Sequence, residues 1–238
     1  MSPSIYIVVS TFGRAGKTTL AKFVLGRLPG ARILEIESGG QEAEGKVLIR
    51  TDGNERSRTE VLAQYLSSAL DPSRPTVWDV GDRDAMPVLR LLNTAASALF
   101  SAAPPVLIVP IVDDMDCATR LAVMDAELGP VKAVAKRLFV VKNLARGNGP
   151  ALETAAKWAE EHGYTVCRTA LPHADLLDNT HNTTMDTDLE RIAATDLLKA
   201  LVGKQDVDAM EAAKLGLWIM EAKVILPQIQ ALRAELTA

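Results

Sequence analysis

The hydrophobic positions of this chain alternate between short solid runs and longer stretches in which apolar residues return every three or four places. Ile5 to Ser10, Arg32 to Glu37, Thr76 to Val80, Val106 to Val112, Leu138 to Lys142 and Tyr164 to Arg168 are short and rich in Val, Ile and Leu. Several show no polar alternation, the pattern of strands covered by helices on both faces. Between them, Lys17 to Leu28 sets Leu20, Phe23, Val24 and Leu28 on one helical face, and Thr59 to Leu70 does the same with Leu62, Tyr65, Leu66 and Leu70. Pro87 falls in the first turn of the next predicted helix, whose buried stripe is Val88, Leu91, Leu92, Ala95 and Leu99. Further helices are predicted over Asp116 to Leu128, Pro150 to His162 and Asp188 to Leu201. Strands alternating with helices in this way predict an α/β fold: a mostly parallel central sheet flanked by helices in three layers.

Two stretches interrupt the alternation. Ser38 to Ser57 is polar and carries Gly39, Gly40, Gly45 and Gly53, which predicts a long loop with a short extended piece at Lys46 to Arg50. A loop of that length inside a domain is usually functional or mobile. Near the end, Met210, Ala213, Leu217, Met220 and Val224 form a stripe at helical spacing, continued by Ile225, Ile229, Leu232 and Leu236 around Pro227. The plainer reading is a helix packed on its own core; dimer or partner contact and docking on a membrane surface are the alternatives. The organisation expected is one domain over 1–238, with a core of about 5–203 and a C-terminal helical segment, 204–238.

With 48% hydrophobic, 24% charged and 4% aromatic residues in 238, the chain has enough aliphatic material for a sizeable core and too much for disorder. Its net charge of -4 gives no global positive field, so any contact with nucleic acid must be local. Cys117 and Cys167 stand far apart with no histidine at metal-ligand spacing, which excludes a disulfide scaffold and a zinc module and fits the cytoplasm. Residues 1–9 carry no signal-peptide pattern, and the longest apolar tract, Ala102 to Val112, is short and broken by three prolines. No transmembrane segment is expected.

The most informative segment is Ser10-Thr-Phe-Gly-Arg-Ala-Gly-Lys-Thr-Thr19, which follows a strand and opens a helix. Glycines there let successive N–H groups turn inward onto phosphates, and the helix N-terminus adds its positive dipole end. Lys17 would reach the β- and γ-phosphates, and the Thr18 hydroxyl would complete a Mg2+ shell. One position departs from the general Gly-x4-Gly-Lys-Thr pattern, because Thr11 stands where the first glycine belongs. The bland alternative is a strand-to-helix turn whose glycines serve only tight packing.

This segment resembles the deviant Walker group of P-loop ATPases, which includes the ParA and MinD families and carries Lys-Gly-Gly-x-Gly-Lys-Thr-Thr. Gly13, Gly16, Lys17, Thr18 and Thr19 match it, while Phe12 stands at the signature lysine and Arg14 at the second glycine. In the resembled families the signature lysine crosses a dimer to the partner's nucleotide, a contact that Arg14 would have to supply here. The resemblance runs from residue 5 to about 180. It implies a P-loop nucleotide site formed by Gly13, Arg14, Ala15, Gly16, Lys17, Thr18 and Thr19. In Glu35-Ile-Glu37, similar to the family's Asp-x-Asp, Glu37 would orient the attacking water. In Val77-Trp-Asp-Val-Gly81, similar to the Walker B segment, Asp79 would hold Mg2+ through water. Val141-Lys-Asn143 places Asn143 at the position that hydrogen-bonds the base, and Pro172 follows the last core strand in the loop that flanks the purine. Within the group the chain is most similar to plasmid stability and conjugation proteins of the StbB type, on the pair Glu37-Ser38, the Asp79-Val-Gly81 segment and the missing signature lysine.

Asp113, Asp114 and Asp116 could be taken for a metal cluster, but a helix N-cap group is the stronger reading. His173 and His181 have no nucleophile or ligand partner and read as ordinary loop histidines. Lys136, Arg137, Lys142 and Arg146 form a local basic concentration able to meet DNA phosphates, though no aromatics interleave with it.

The expected function is a weak, Mg2+-dependent ATPase that switches conformation or association with nucleotide state, with Lys17, Glu37 and Asp79 as its catalytic residues and Thr18 and Asp79 on the metal side. The resemblance implies a role in plasmid stability, segregation, positioning or conjugation. The partners it implies are a small DNA-binding adaptor protein of the same plasmid system, nonspecific DNA and a second copy in a nucleotide-dependent homodimer, in the cytoplasm or at the nucleoid. Two other readings stay open: a metabolic ligase or kinase of the dethiobiotin synthetase type, using the 38–57 loop for its substrate, and a nucleotide-binding adaptor that no longer hydrolyses.

Overall fold

In the first strand, Ile5–Val8 (β1), the side chains of Ile5 and Ile7 enter one hydrophobic cluster and those of Tyr6 and Val8 enter another. This twofold alternation, with all four residues buried, is what a strand covered on both faces requires. The computed structural model describes residues 5–37, 47–49, 55–71, 73–99, 103–174, 176–177, 188–196 and 209–238. The other strands are Arg32–Ile36 (β2), Val47–Ile49 (β3), Thr76–Val80 (β4), Val106–Val112 (β5), Arg137–Asn143 (β6) and Thr165–Val166 (β7). They form one seven-stranded sheet in the order β3-β2-β4-β1-β5-β6-β7, and every pairing among the described residues is parallel.

Helices fill both sides. Glu55–Leu70 (α2), Ala85–Leu99 (α3), Cys117–Val134 (α4) and Pro150–Glu161 (α5) contribute Tyr65, Leu89, Leu121 and Leu152, among others, to the cluster that holds Ile5 and Ile7. On the helix side, the opposite cluster is built by Leu20–Leu25, which continues the short helix Lys17–Thr19 (α1), and by Leu189–Ala194 (α6) and Ala209–Thr237 (α7). The expected three-layer α/β architecture is the one present. The α1 continuation is a π-helix in which the Gly26 N–H reaches back five residues to the Ala21 carbonyl at 2.7 Å, so the helix stops at Leu25 and not at Leu28.

Other boundaries differ for identifiable reasons. α2 starts at Glu55, four residues before the expected Thr59, inside the stretch read as loop; β3 lies within the extended piece expected at Lys46 to Arg50, and the rest of 38–54 is outside the described residues. β7 keeps only Thr165 and Val166 of the expected five-residue strand, since it pairs with β6 alone at the end of the order. The helix expected to end at Leu128 resumes beyond a break at Gly129 (φ 33°, ψ -119°) and runs to Val134. Gly129 precedes Pro130, which disfavours helical geometry before it. The carboxamide of Asn93 on α3 fills the break, donating to the Glu127 carbonyl and accepting from the Val131 N–H at 3.1 Å.

The C-terminal stripe is the clearest correction. Met210, Leu217, Met220 and Val224 are 61 to 67% exposed, whereas Ile219, Ala222, Ile225, Ile229, Leu232 and Leu236 are buried. α7 therefore packs on the core through a face turned away from the first half of the expected stripe. Leu217-Trp-Ile-Met220 is apolar all round, so spacing alone could not choose between its faces.

Candidate functional site

β1 lies between β4 and β5 near the centre of the sheet, and the chain leaving its C-terminal end turns into α1. In open parallel sheets that edge is where ligands bind. The turn is held from within: Ser10 is buried, and its Oγ accepts from the Phe12 N–H at 3.3 Å. Arg14 (φ 58°) and Gly16 (φ 87°) both adopt left-handed backbone, the geometry in which successive N–H groups point into one concavity. Gly16 has a second constraint, because a Cβ there would lie 2.6 Å from Leu171 Cδ2 and 2.7 Å from Asn143 Nδ2.

Lys17 opens α1 with only 8% of its surface exposed, and its Nζ donates to the Phe12 carbonyl at 2.8 Å. Burial lowers its pKa, while the charges of Asp82, Asp79 and Glu37 oppose that shift. Asp79, at the end of β4, is also buried and accepts a hydrogen bond from the Thr18 hydroxyl. Desolvation pushes its carboxyl up to about 6, with the nearby Glu35 adding to the shift and the Thr18 bond, Lys17 and Lys22 opposing it. The β2–β4 register places Glu35 beside Asp79, and Lys22 Nζ sits 3.4 Å from Glu35 Oε1. Glu37, one residue past β2, is exposed. It is reached across Gly81, whose N–H bonds the Ile36 carbonyl at 2.9 Å and where a Cβ would lie 3.4 Å from Glu37 Cγ.

Arg14, Ala15, Gly16, Lys17, Thr18 and Thr19 thus line one cavity of about 520 Å3 together with Glu37 and Asp79. Gly13 lies beside it, with Asp82 Oδ2 3.4 Å from where its Cβ would stand. Asn143 and Pro172 do not line the cavity. Asn143 is buried against Gly16, and its Oδ1 accepts from Ala145 N–H at 3.0 Å, so half of its amide is already committed. Pro172 is buried just beyond Leu171, which pairs with Asn143.

Two chain comparisons bear on this arrangement. Apo McdA from Cyanothece superposes with a TM-score of 0.51 at 13% identity, over 94% of this chain and 99% of that one. The ATP complex of an aspartate-to-alanine variant of Cyanothece McdA gives 0.50 at 15% identity, over 95% and 97%. The chain shares the fold of McdA, a three-layer α/β fold with a parallel central sheet. No protein-family profile and no curated protein matches the chain.

Within this fold the residues suit a phosphate-bound Mg2+. Among the described residues no cluster of three or more His, Cys, Asp or Glu could hold a metal alone. The Thr18 hydroxyl and the Asp79 carboxylate are hard oxygen donors of the kind Mg2+ takes together with phosphate oxygens and water. A buried carboxylate that keeps its proton to about pH 6 is one that a divalent cation would stabilise in its charged form.

Lys22 and Asp82 belong to the cavity and were not singled out from the sequence. Asp82 directly follows Gly81, and Lys22 is five residues beyond Lys17; neither spacing marks a phosphate site by itself. The acidic trio is also corrected. Asp116 is the N-cap residue of α4 but makes no side-chain cap bond, Asp113 accepts from Leu152 N–H at the start of α5 at 3.2 Å, and Asp114 pairs with Arg146. The trio serves two helices and an ion pair. Within the basic concentration, Lys142 is paired with Glu153 at 3.1 Å and Arg146 with Asp114 at 3.1 Å. His173 is exposed, and His181 lies outside the described residues. Both cysteines are free and buried, and burial pushes their thiols to about 11 and 12, which makes them inert.

The second half of the molecule is fastened to this site. Arg233 on α7 donates through Nε to the Val24 carbonyl at 2.8 Å and through Nη2 to the Phe23 carbonyl at 3.2 Å. Those are carbonyls at the far end of the helix that begins with Lys17. Glu235 accepts from the Arg168 and Thr169 N–H groups at 2.6 and 3.1 Å, and Glu221 from the Leu176 N–H at 2.8 Å, so α7 also holds the loop that contains Leu171 and Pro172.

Proposed function

We propose that this chain is a weak, Mg2+-dependent ATPase of the ParA type that works as a nucleotide-dependent switch for a plasmid, in its stability, segregation, positioning or conjugation. The observation that carries the reading is the convergence of Lys17, Thr18, Asp79 and Glu37 on one cavity at the C-terminal edge of β1. The McdA variant solved with ATP supports the choice of nucleotide.

The chain's own residues divide the work as follows. The loop from Gly13 to Thr19 offers its N–H groups to the phosphates, and Lys17 leaves the Phe12 carbonyl to meet the γ-phosphate. Thr18 and Asp79 would hold a bound metal through their hydroxyl and carboxylate oxygens. A bound Mg2+ would supply positive charge to the phosphate oxygens. Glu37, exposed at the cavity mouth, orients water for in-line attack. The base lies toward Asn143, which keeps its Nδ2 for it, and Pro172 flanks the ring.

Such a switch works through association: a second copy in an ATP-dependent homodimer, a small DNA-binding adaptor of the same plasmid system and nonspecific DNA, in the cytoplasm or at the nucleoid. DNA contact through the β6 concentration would use Lys136, Arg137, Lys142 and Arg146, of which Lys142 also pairs with Glu153 and Arg146 with Asp114. The test is phosphate release from ATP with Mg2+ and with chelator, in the presence and absence of duplex DNA. Slow release that needs Mg2+ supports the reading; none under any of these conditions rejects it.

A further inference from the structure

Beside the Lys17 cavity lies a second one of about 370 Å3, lined by Phe12, Gly13, Arg14, Asp114, Arg120 and Arg146. Three guanidinium groups face a single carboxylate there, in a chain whose net charge is -4, so the local excess is not a product of basic composition. Arginine keeps its charge in proteins, and three exposed guanidinium groups around one cavity offer an anion several charged donors at once.

Two of the three are held in place. The Arg120 Cζ stands 5.1 Å from the centroid of the Phe12 ring, and that ring is itself 3% exposed, so it offers a fixed face for the cation. Arg146 Nη1 pairs with Asp114 Oδ2 at 3.1 Å, while Asp114 Oδ1 accepts from the Asp116 N–H at 3.1 Å. Arg146 closes the short turn Leu144–Arg146, which Asn143 caps through Ala145 N–H. Arg14 makes no hydrogen bond or ion pair among the described residues, is exposed, and lines both cavities. Phe12, which stands at the resembled families' signature lysine, is here the platform that places a guanidinium.

We propose that this cavity is a second anion site, which takes a phosphate group through the forks of Arg14, Arg120 and Arg146 and shares only Arg14 with the Lys17 cavity. Planar guanidinium forks fit phosphate oxygens two at a time, and the cavity has room for more than one such group. The phosphate can come from a free oligophosphate or from the backbone of a nucleic acid.

The experiment uses the full chain with Lys17→Ala, so that the first cavity no longer competes, and adds Arg120→Gln or Arg146→Gln. Pyrophosphate binding is read by calorimetry, and binding of a labelled DNA duplex by anisotropy over a salt series. Pyrophosphate is expected to bind the Lys17→Ala chain and to lose about tenfold or more in affinity with either Gln substitution, the effect of one charged hydrogen bond. If DNA is the source, the same substitutions weaken the duplex and flatten its salt dependence, and pyrophosphate competes with it. If the source is a free phosphate, only pyrophosphate responds. Where a Gln variant does not fold, Arg120→Lys and Arg146→Lys keep the charge and lose the fork, and a several-fold weakening is expected. Affinity for both probes unchanged in folded Gln or Lys variants overturns the site. ATP that still binds tightly to a Lys17→Ala chain carrying Arg120→Gln, in which pyrophosphate binding is weakened as expected, would instead count against the proposed ATPase and leave this site standing.

Discussion

The Thr18 hydroxyl donates a hydrogen bond to the Asp79 carboxylate, joining the start of the helix after the P-loop to the end of β4. Desolvation of Asp79 outweighs that bond and raises its pKa from 3.8 to about 6. The folded chain thus holds this proton more tightly than the unfolded chain. The contribution of Asp79 to stability is full below the unfolded value and is lost as the pH rises through about 6, a difference of about 3 kcal/mol. Asp79→Asn removes the charge and keeps an acceptor for Thr18. In urea denaturation with chelator present, the variant should be the more stable by about 2 kcal/mol near pH 7.5, and the gap should shrink by more than half at about pH 4.5. A gap of constant size would mean that Asp79 does not titrate differently on folding.

Gly16→Ala should be costly twice over. The residue needs left-handed backbone at φ 87°, and the added methyl would press on Leu171 and on Asn143 at 2.6 and 2.7 Å. A loss of about 2 kcal/mol or more is expected in denaturant midpoints, accompanied by loss of ATP binding in calorimetry. Gly163→Ala also meets a positive φ (84°) but nothing within 4 Å; it is the control, and should cost less and leave ATP binding in place.

Arg233→Ala removes the donors that satisfy the Phe23 and Val24 carbonyls at the end of the Lys17 helix. Unmade bonds at partly buried carbonyls should cost about 1 to 3 kcal/mol. Because α7 also holds the Arg168 and Thr169 amides, hydrogen exchange should quicken in both segments for the Arg233→Ala and Glu235→Ala double variant. Faster exchange confined to α7 itself would contradict a coupling between that helix and the site.

Much of this fold can be read from particular residues. Val106 to Val112 and Thr76 to Val80 are strands over the same residues that the apolar runs predict, because both are interior to the sheet and buried along their whole length. The P-loop is legible since its chemistry is local: glycine, lysine and threonine must follow one another. What failed depends on contacts distant in sequence. α4 continues past Gly129 only because Asn93, 38 residues before Val131, bridges the gap. The exposed half of the α7 stripe has helical spacing as regular as the buried one, and only the register of Ile225 and Ile229 against the core decides between them. Asp82 and Lys22 enter the site through the packing of β4 and α1, which no spacing records.

The central claim is that Glu37 acts on water while Lys17, Thr18 and Asp79 hold ATP and its metal. The direct measurement is single-turnover phosphate release from ATP and Mg2+, beside ATP affinity, for the wild-type chain, Glu37→Ala and Lys17→Ala. Glu37→Ala should bind ATP nearly as well as wild type and release phosphate slower by on the order of 100-fold, whereas Lys17→Ala should lose tight binding itself. Wild-type rates of release from Glu37→Ala, or undiminished ATP affinity in Lys17→Ala, would contradict the account.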